Sequence, residues 1–412
     1  MKIGFPFGIN VLIWSVISFI RSMFERRNPH KKSLSSRVFN NRRAKVAVCL
    51  PAHNEEAVIK TSITSITRQL PRNQVYVVSD GSTDRTVAIA KSLGCQVLDR
   101  HPGAGKANAL KVLIEKYALF DRYEFIVFVD ADTQLDRHYL KRALALFEAR
   151  PQAVAVAAYA VPIWRKGLKL NVSNYISAYR TKLYRILQMF IMYGQTWQLI
   201  NVNPVVPGFA SMYRTRALRK LDLATPGIWI EDFNLAFQIH KMRLGQIAHD
   251  PTIRAYYHDP LNLKDYIRQV SRWNVGYYQT VRLQGIWPSV FWFSTGLFSL
   301  EMLLNATITI SLPLIMLWYY LTKTVPNVFF PESSLWQLVL NNLVLLWELV
   351  LGLALADYAL TIFVAVKDKR PWLLVFGLGF FLFHILNSVV LLAAIPKGLF
   401  WNSEGRWEHA ER

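Results

Sequence analysis

Between Lys45 and Val161 the chain alternates between two textures of apolar and polar positions. Short, almost continuous apolar runs (KVAVCLP, QVYVVSD, CQVLD, EFIVFVD, AVAVAAYAV) are separated by longer segments whose apolar residues recur at helical spacing (EEAVIKTSITSITRQL, STDRTVAIAKSLG, GKANALKVLIEKYA, LDRHYLKRALALFEA). Strands buried on both faces need continuous apolar runs. The pattern therefore predicts an α/β domain, a Rossmann-like, mostly parallel sheet with helices on both sides. Ligands of such sheets bind beyond the carboxyl ends of the strands. This chain places PAHNEE (Pro51–Glu56), SDGSTD (Ser79–Asp84) and DADT (Asp130–Thr133) there. An acidic residue in one such loop can simply cap the next helix, the role read for Asp84. Three acidic loops converging on one crevice point instead to a ligand.

Outside this region the apolar runs lengthen. Ile3 to Ile20 is an apolar stretch interrupted by Asn10 and followed by Arg21, Arg26 and Arg27. A signal peptide carries its charges first, so the reversed order predicts an uncleaved anchor with the following residues in the cytoplasm. Pro288 to Leu321, Leu335 to Val366 and Pro371 to Ile395 are each long enough to span a bilayer. The KDKR between the last two is expected inside, and the loop Thr322 to Ser334 outside. The predicted plan is an anchor over residues 1–21, a cytoplasmic domain over 22–287, about three transmembrane helices over 288–396 and a tail over 397–412.

Within the cytoplasmic part, Leu168, Val172, Tyr175, Ile176, Tyr179, Leu183, Ile186, Leu187 and Phe190 recur at helical spacing among Arg165, Lys166, Lys169, Arg180, Lys182 and Arg185. This predicts an amphipathic helix near residues 165–193 resting its basic face on an anionic bilayer. Packing on the core with a solvated basic face is the alternative.

Composition agrees with membrane attachment: 52% of residues are hydrophobic and 18% charged, against about 25% charged in an average soluble domain. The formal charge of +21 suits anionic lipid, a phosphorylated substrate or nucleic acid. The basic residues are interleaved with apolar helical positions and form no nucleic-acid module, so nucleic acid is set aside. Cys49 and Cys95, the only cysteines, lack a CxxC or His partner and read as packed, reduced thiols.

The candidate chemistry centres on VDADT. A buried strand, FIVFV, runs into Asp130 and Asp132, holding both carboxylates at a rigid edge. Two hard oxygen ligands suit Mg²⁺ or Mn²⁺, with a substrate phosphate completing the shell.

With these residues the chain from Lys45 to about Tyr278 resembles the membrane-embedded processive family 2 glycosyltransferases of GT-A fold, the synthases of cellulose, chitin, hyaluronan and poly-N-acetylglucosamine. Five motifs occur in the family's order between membrane segments. The resemblance implies that Pro51, Asn54, Glu55 and Asp80 hold the nucleoside, that Lys106 in GKANAL lies near the diphosphate, and that Asp130 and Asp132 bind the metal. It makes Asp232 of IED the catalytic base with Glu231 at the acceptor. In Q-x-x-R-W it places Gln269 and Arg272 on the donor and Trp273 under the acceptor sugar. Such roles are chemically apt: a carboxylate can deprotonate the attacking hydroxyl, a guanidinium fork fits a departing diphosphate, and an indole stacks on a pyranose. Three departures, Ile230 for Thr, His53 for Tyr and Ser79 for Asp, bear on which donor sugar fits. PGFASMYRTRAL (Pro207–Leu218) matches a segment lining the family's acceptor site. On spacing alone it is a Pro-Gly turn leading into a helix, and no residue in it is assigned a role.

The function expected is inverting, metal-dependent transfer from a UDP-sugar onto a growing β-linked polysaccharide. The chain would export its product through its own helices in a bacterial inner (plasma) membrane, surrounded by lipid and with room for an export partner. The alternative is single addition to a lipid acceptor. A glycosidase, which also pairs carboxylates, is disfavoured by the cytoplasmic placement and by the Lys and Arg suited to a diphosphate.

Overall fold

The computed structural model describes residues 8–27, 34–164, 170–324, 343–403 and 405. The helices up to the membrane region are α1 (Ile9–Arg27), α2 (Ser36–Arg43), α3 (Ile59–Thr67), α4 (Thr86–Ser92), α5 (Lys106–Lys116), α6 (Leu119–Arg122), α7 (Tyr139–Ala149), α8 (Val172–Ile186), α9 (Tyr193–Gln195), α10 (Thr215–Leu218), α11 (Glu231–Lys241), α12 (Leu263–Gln284) and α13 (Val290–Thr324). The chain divides into two compact units, Trp14–Thr295 with Ala394–Arg412, and Met1–Ile13 with Gly296–Ala393.

The first unit is built on one sheet. Its strands are β1 (Val46–Ala52), β2 (Val75–Asp80), β3 (Gln96–Arg100), β4 (Phe125–Val129), β5 (Gln134–Leu135), β6 (Ala153–Pro162), β7 (Ala210–Arg214) and β8 (Gln246–Tyr257), in the order β3-β2-β1-β4-β7-β6-β8-β5. Every residue of β1 is buried, and its side chains alternate between two cores. Val46, Val48 and Leu50 join the face covered by Ile59 and Ile63 of α3 and by Tyr139 and Leu140 of α7. Ala47 and Cys49 join the opposite face with Leu110 and Leu113 of α5 and Leu235 of α11. A strand whose alternate residues both meet apolar partners must be apolar throughout, which is why VAVCLPA shows no polar alternation.

Strands β1, β2, β3 and β4 pair in parallel, as expected. Strand β6 does not pair with β4. β7 lies between them, antiparallel to both, while β8 runs parallel to β6 and β5 antiparallel to β8. The Pro207-Gly208 turn thus leads first into the buried strand ASMYR and only then into α10.

Two expectations about basic residues are corrected. Arg21, read as a membrane flank, is buried: its guanidinium donates to Glu25 Oε1 at 2.8 Å, Thr196 Oγ1 at 3.0 Å and the His249 carbonyl at 3.2 Å. Arg150 closes this network on Glu25 at 2.7 Å. The face of α1 bearing Trp14, Ser18 and Arg21 is buried, and Leu12, Val16 and Phe19 are exposed. In α8, Arg180 and Lys182 are buried rather than turned to headgroups. The helix packs among aromatic and polar partners that can receive these cations, so it has no exposed basic stripe at those positions. Residues 165–169 of the expected helix and 1–7 of the expected anchor lie outside the described residues.

In the second unit, the described helices are the start of α1, the later part of α13 and the segments Leu343–Lys367, Leu373–Gly377 and Phe380–Phe400, the last continuing into the first unit. Among the described residues three helices are long and apolar enough to cross a membrane: Val290–Trp318, Val350–Lys367 and Phe380–Phe400. They match the three predicted C-terminal spans, although 335–342 of the second prediction lie outside the described residues. α1 is not among them. Exposed Leu300, Leu304, Leu351, Leu355 and Leu382 would be unfavourable in water and suit hydrocarbon. Two polar pairs lie here, Asp357 with His384 at 3.1 Å and Glu301 with the Asn10 side-chain amide at 2.9 Å.

Candidate active site

The site lies at the carboxyl edge of β4. That strand runs straight into Asp130, α5 begins with Lys106, and α11 begins with Glu231 and Asp232. Lys106 Nζ joins them, 2.8 Å from Asp130 Oδ1 and 2.9 Å from Glu231 Oε1. The approach of α5 is fixed by the loop before it. Ala104 and Gly105 donate their N–H groups to the buried Asp80 carboxylate at 3.0 and 2.7 Å, and Gly105 turns through φ 92° into the helix. A Cβ on Gly103 would stand 2.6 Å from the Asp80 carbonyl, so the loop closes only over glycine. Asp80, expected at the nucleoside, therefore anchors the segment that delivers Lys106.

A second stitch was not assigned from sequence. Segment 206–209 ties the metal-ligand candidate to the candidate base. Asp130 donates its N–H to the Phe209 carbonyl at 3.0 Å, and Val206 donates to the Asp232 carbonyl at 3.2 Å. Between them Gly208 hydrogen-bonds Asp232 through its backbone. A Cβ there would lie 2.5 Å from Asp232 Oδ1 and 2.9 Å from Lys106 Nζ. The PG dipeptide was the sequence signal, but turn chemistry alone did not say what the turn approaches.

Burial, and next the charge of Glu231, push the Asp232 carboxyl up to about 7, while Lys106 and the Gly208 N–H oppose the rise. Burial alone would lower the Lys106 ammonium; the charges of Asp130, Glu231 and Asp232 outweigh it and hold the lysine well above its ordinary value. The cluster therefore keeps a charged lysine beside a carboxyl poised to accept a proton near neutrality. Glu231, expected at the acceptor, is buried against Lys106.

Asp132 is half-buried, its Oδ1 3.4 Å from the Thr133 hydroxyl. Asp130 and Asp132 make a two-carboxylate set, and no group of three or more His, Cys, Asp or Glu that could hold a metal occurs among the described residues. Such a set fits Mg²⁺ or Mn²⁺ in the mode where a substrate diphosphate completes the coordination. At the neighbouring strand ends, Asn54 Oδ1 accepts from the Thr83 N–H at 2.8 Å and the Asn54 N–H donates to Ser82 Oγ at 3.1 Å. Glu55 donates its N–H to Thr86 Oγ1 at 2.8 Å, and Pro51 ends within β1. The PxxNE and SDGSTD loops are thus cross-linked into one wall.

The Q-x-x-R-W residues lie on α12, which packs against the residues that lead into Glu231 and Asp232. A Cβ on Gly276 would stand 2.4 Å from Ile230 Cγ1, so α12 and the residue before Glu231 touch where a larger side chain would part them. Gln279 Oε1 accepts from the Trp229 N–H at 2.9 Å. Gln269 and Trp273 both contact Arg180, whereas Arg272 is half-exposed without a hydrogen-bond or ion-pair partner among the described residues.

Residues 47–222 match the family model described as Glycosyl transferase family 2. Among curated proteins, the chain is similar to a poly-beta-1,6-N-acetyl-D-glucosamine synthase of Staphylococcus epidermidis, 22% identical over 289 residues that cover 69% of this chain and 66% of that protein. It is also similar to a 4,4'-diaponeurosporenoate glycosyltransferase of Staphylococcus aureus, 33% identical over 127 residues, 30% of this chain and 32% of the other. The matches thus span at most about two thirds of these relatives' length. Among solved structures it shares the fold of a mannosyltransferase from Pyrobaculum calidifontis, solved with GDP-Man and Mn²⁺, with a TM-score of 0.57, 17% identity and coverage of 95% of this chain and 96% of that one. The fold is GT-A, carried with three apolar C-terminal helices. Residues 47–222 thus carry a family 2 glycosyltransferase domain, in a chain with three helices long and apolar enough to cross a membrane.

Proposed function

We propose that the protein transfers a sugar, with inversion, from a UDP-sugar onto the end of a β-linked polysaccharide, at the cytoplasmic face of a bacterial inner membrane, and passes the product through its membrane helices. The observation that carries this reading is the Lys106 cluster. It gathers Asp130, Glu231 and Asp232 around one ammonium at the strand edge and leaves Asp232 poised near neutrality.

Asp232 takes the proton from the acceptor hydroxyl as that oxygen attacks the anomeric carbon. The attack comes opposite the departing nucleotide, so one carboxylate suffices and the configuration inverts. Lys106 fixes Asp130 and Glu231 and offsets their charge. Arg272, half-exposed and without a hydrogen-bond or ion-pair partner among the described residues, offers two parallel N–H groups to the diphosphate as negative charge develops. Asp130 and Asp132 would hold Mg²⁺ or Mn²⁺ with that diphosphate; when bound, the ion supplies charge neutralisation of the leaving group. The wall built from Pro51, Asn54, Glu55 and the loop beyond Asp80 takes the nucleoside, and Trp273 offers an indole face to the acceptor sugar. The synthase relative and the three membrane-capable helices support polymerisation and export over single addition to a lipid.

The test is reconstitution of the full chain in lipid vesicles with a panel of nucleotide sugars and Mg²⁺ or Mn²⁺, followed by sizing of the product and its location. Long chains shielded inside the vesicles from added glycosidase support the reading. A single sugar on extracted lipid replaces it with the single-addition enzyme.

A further inference from the structure

The Q-x-x-R-W helix is gripped from behind by one buried cation. Tyr266, Gln269 and Trp273 are spaced i, i+3, i+7 and fall within about 60° of arc on α12. All three meet the same guanidinium. Arg180 of α8 is 1% exposed. Its Nη1 pairs with Asp259 Oδ1 at 3.1 Å and its Nη2 donates to Gln269 Oε1 at 2.6 Å. Its Cζ lies 5.0 Å from the ring centroids of both Tyr266 and Trp273. Arg272 is turned off this face by the helix.

We propose that Arg180 is a positioning residue for sugar transfer: it holds Gln269 and the inner face of Trp273, so that α12 presents Arg272 and the outer indole face to the substrates. This rests on the reading of the site as a glycosyltransferase centre. A buried ion pair is weak support for stability, because an apolar pair of similar volume packs about as well. What the apolar pair lacks is geometry. A guanidinium has a fork that can bond a carboxylate and an amide together and flat faces that pack on aromatic rings. Lysine keeps the charge but has neither the fork nor the plane. Two side chains assigned to substrate by the resemblance are thereby set by a third that no motif contains.

The experiment uses the full chain in vesicles and compares wild type, Arg180→Lys and Arg180→Met/Asp259→Asn, each with and without Trp273→Phe. The measurements are UDP affinity with Mn²⁺, kcat, KM for donor and for an acceptor oligosaccharide, and thermal unfolding. We expect Arg180→Lys to remain folded and to keep UDP affinity within about tenfold of wild type, since the strand-edge wall is untouched and only the Gln269 and Arg272 contacts are loosened. Its kcat should fall about tenfold or more with a raised acceptor KM, and adding Trp273→Phe should cost much less than it does in wild type, as expected of contacting residues. A folded Arg180→Lys with unchanged kcat and acceptor KM, or one whose effect multiplies fully with that of Trp273→Phe, overturns the proposal. The double replacement removes both buried charges and should show the same pattern; if it does not fold, Arg180→Lys decides. Wild-type protein that binds no nucleotide and transfers no sugar would sink the functional reading itself, a result distinct from active wild type with indifferent variants.

Discussion

Replacing Gly208 by Ala adds one methyl group between the charged side chains of the site. Gly208 does not occupy the left-handed region, so the backbone accepts alanine and the effect is confined to the new Cβ. That carbon would stand 2.5 Å from Asp232 Oδ1, 2.9 Å from Lys106 Nζ and 3.2 Å from Glu231 Oε1. Unstrained contacts of this kind begin near about 3.5 Å, so the Asp232 carboxylate must retreat by about 1 Å. Lys106 cannot swing away cheaply because Asp130 and Glu231 hold it at 2.8 and 2.9 Å. A misplacement of about 1 Å at a reacting group costs roughly 100-fold in rate, whereas overpacking at one site costs about 1–3 kcal/mol of stability. The assay is the initial rate of UDP release at saturating donor and Mn²⁺, with donor KM and thermal unfolding measured on the same preparation. The expected result is a folded protein with kcat lowered about 100-fold and donor KM within about threefold. A kcat within about threefold of wild type would refute the packing argument.

Three further outcomes follow from the same cluster. In the proposed mechanism Asp232 acts as the carboxylate, and burial pushes its carboxyl up to about 7, so kcat/KM should rise about tenfold per pH unit below that value and level off above it; a flat profile across neutrality would remove the poised base. Lys106→Met deletes a cation that lowers Asp232, so the rising limb should move to higher pH. Stability should also fall by about 3 kcal/mol, since carboxylates are left without their partner; urea unfolding checks the second part. Excess EDTA should stop transfer, and Asp132→Asn should raise the Mn²⁺ concentration giving half-maximal rate; undiminished UDP release in EDTA would end the metal assignment.

Strands buried on both faces were legible because the apolar requirement acts on each residue locally: VAVCLPA and FIVFV announce themselves, and so do the acidic loops that follow strands. β7 was not legible. ASMYR is five residues, and its strand character comes from pairing with β4 and β6, which lie far away in sequence. The basic positions of α8 misled for a related reason. Periodicity shows which side chains share a face, but not that Asp259 and two aromatic rings wait for Arg180. Ile230, a departure from the family pattern, gains its meaning only against Gly276 of α12. Asp80 was expected at the nucleoside, and its bonds to the Ala104 and Gly105 N–H groups depend on loop closure that spacing does not encode.

The central claim, that Asp232 acts as the base of nucleotide-sugar transfer in this crevice, is tested most directly by purified Asp232→Asn in vesicles, with labelled sugar transfer and UDP–Mn²⁺ affinity measured on the same sample. Asn keeps the shape and loses the proton-accepting charge. The account predicts transfer lowered by about 10³-fold or more with nucleotide affinity within about threefold of wild type. Transfer at the wild-type rate would contradict it.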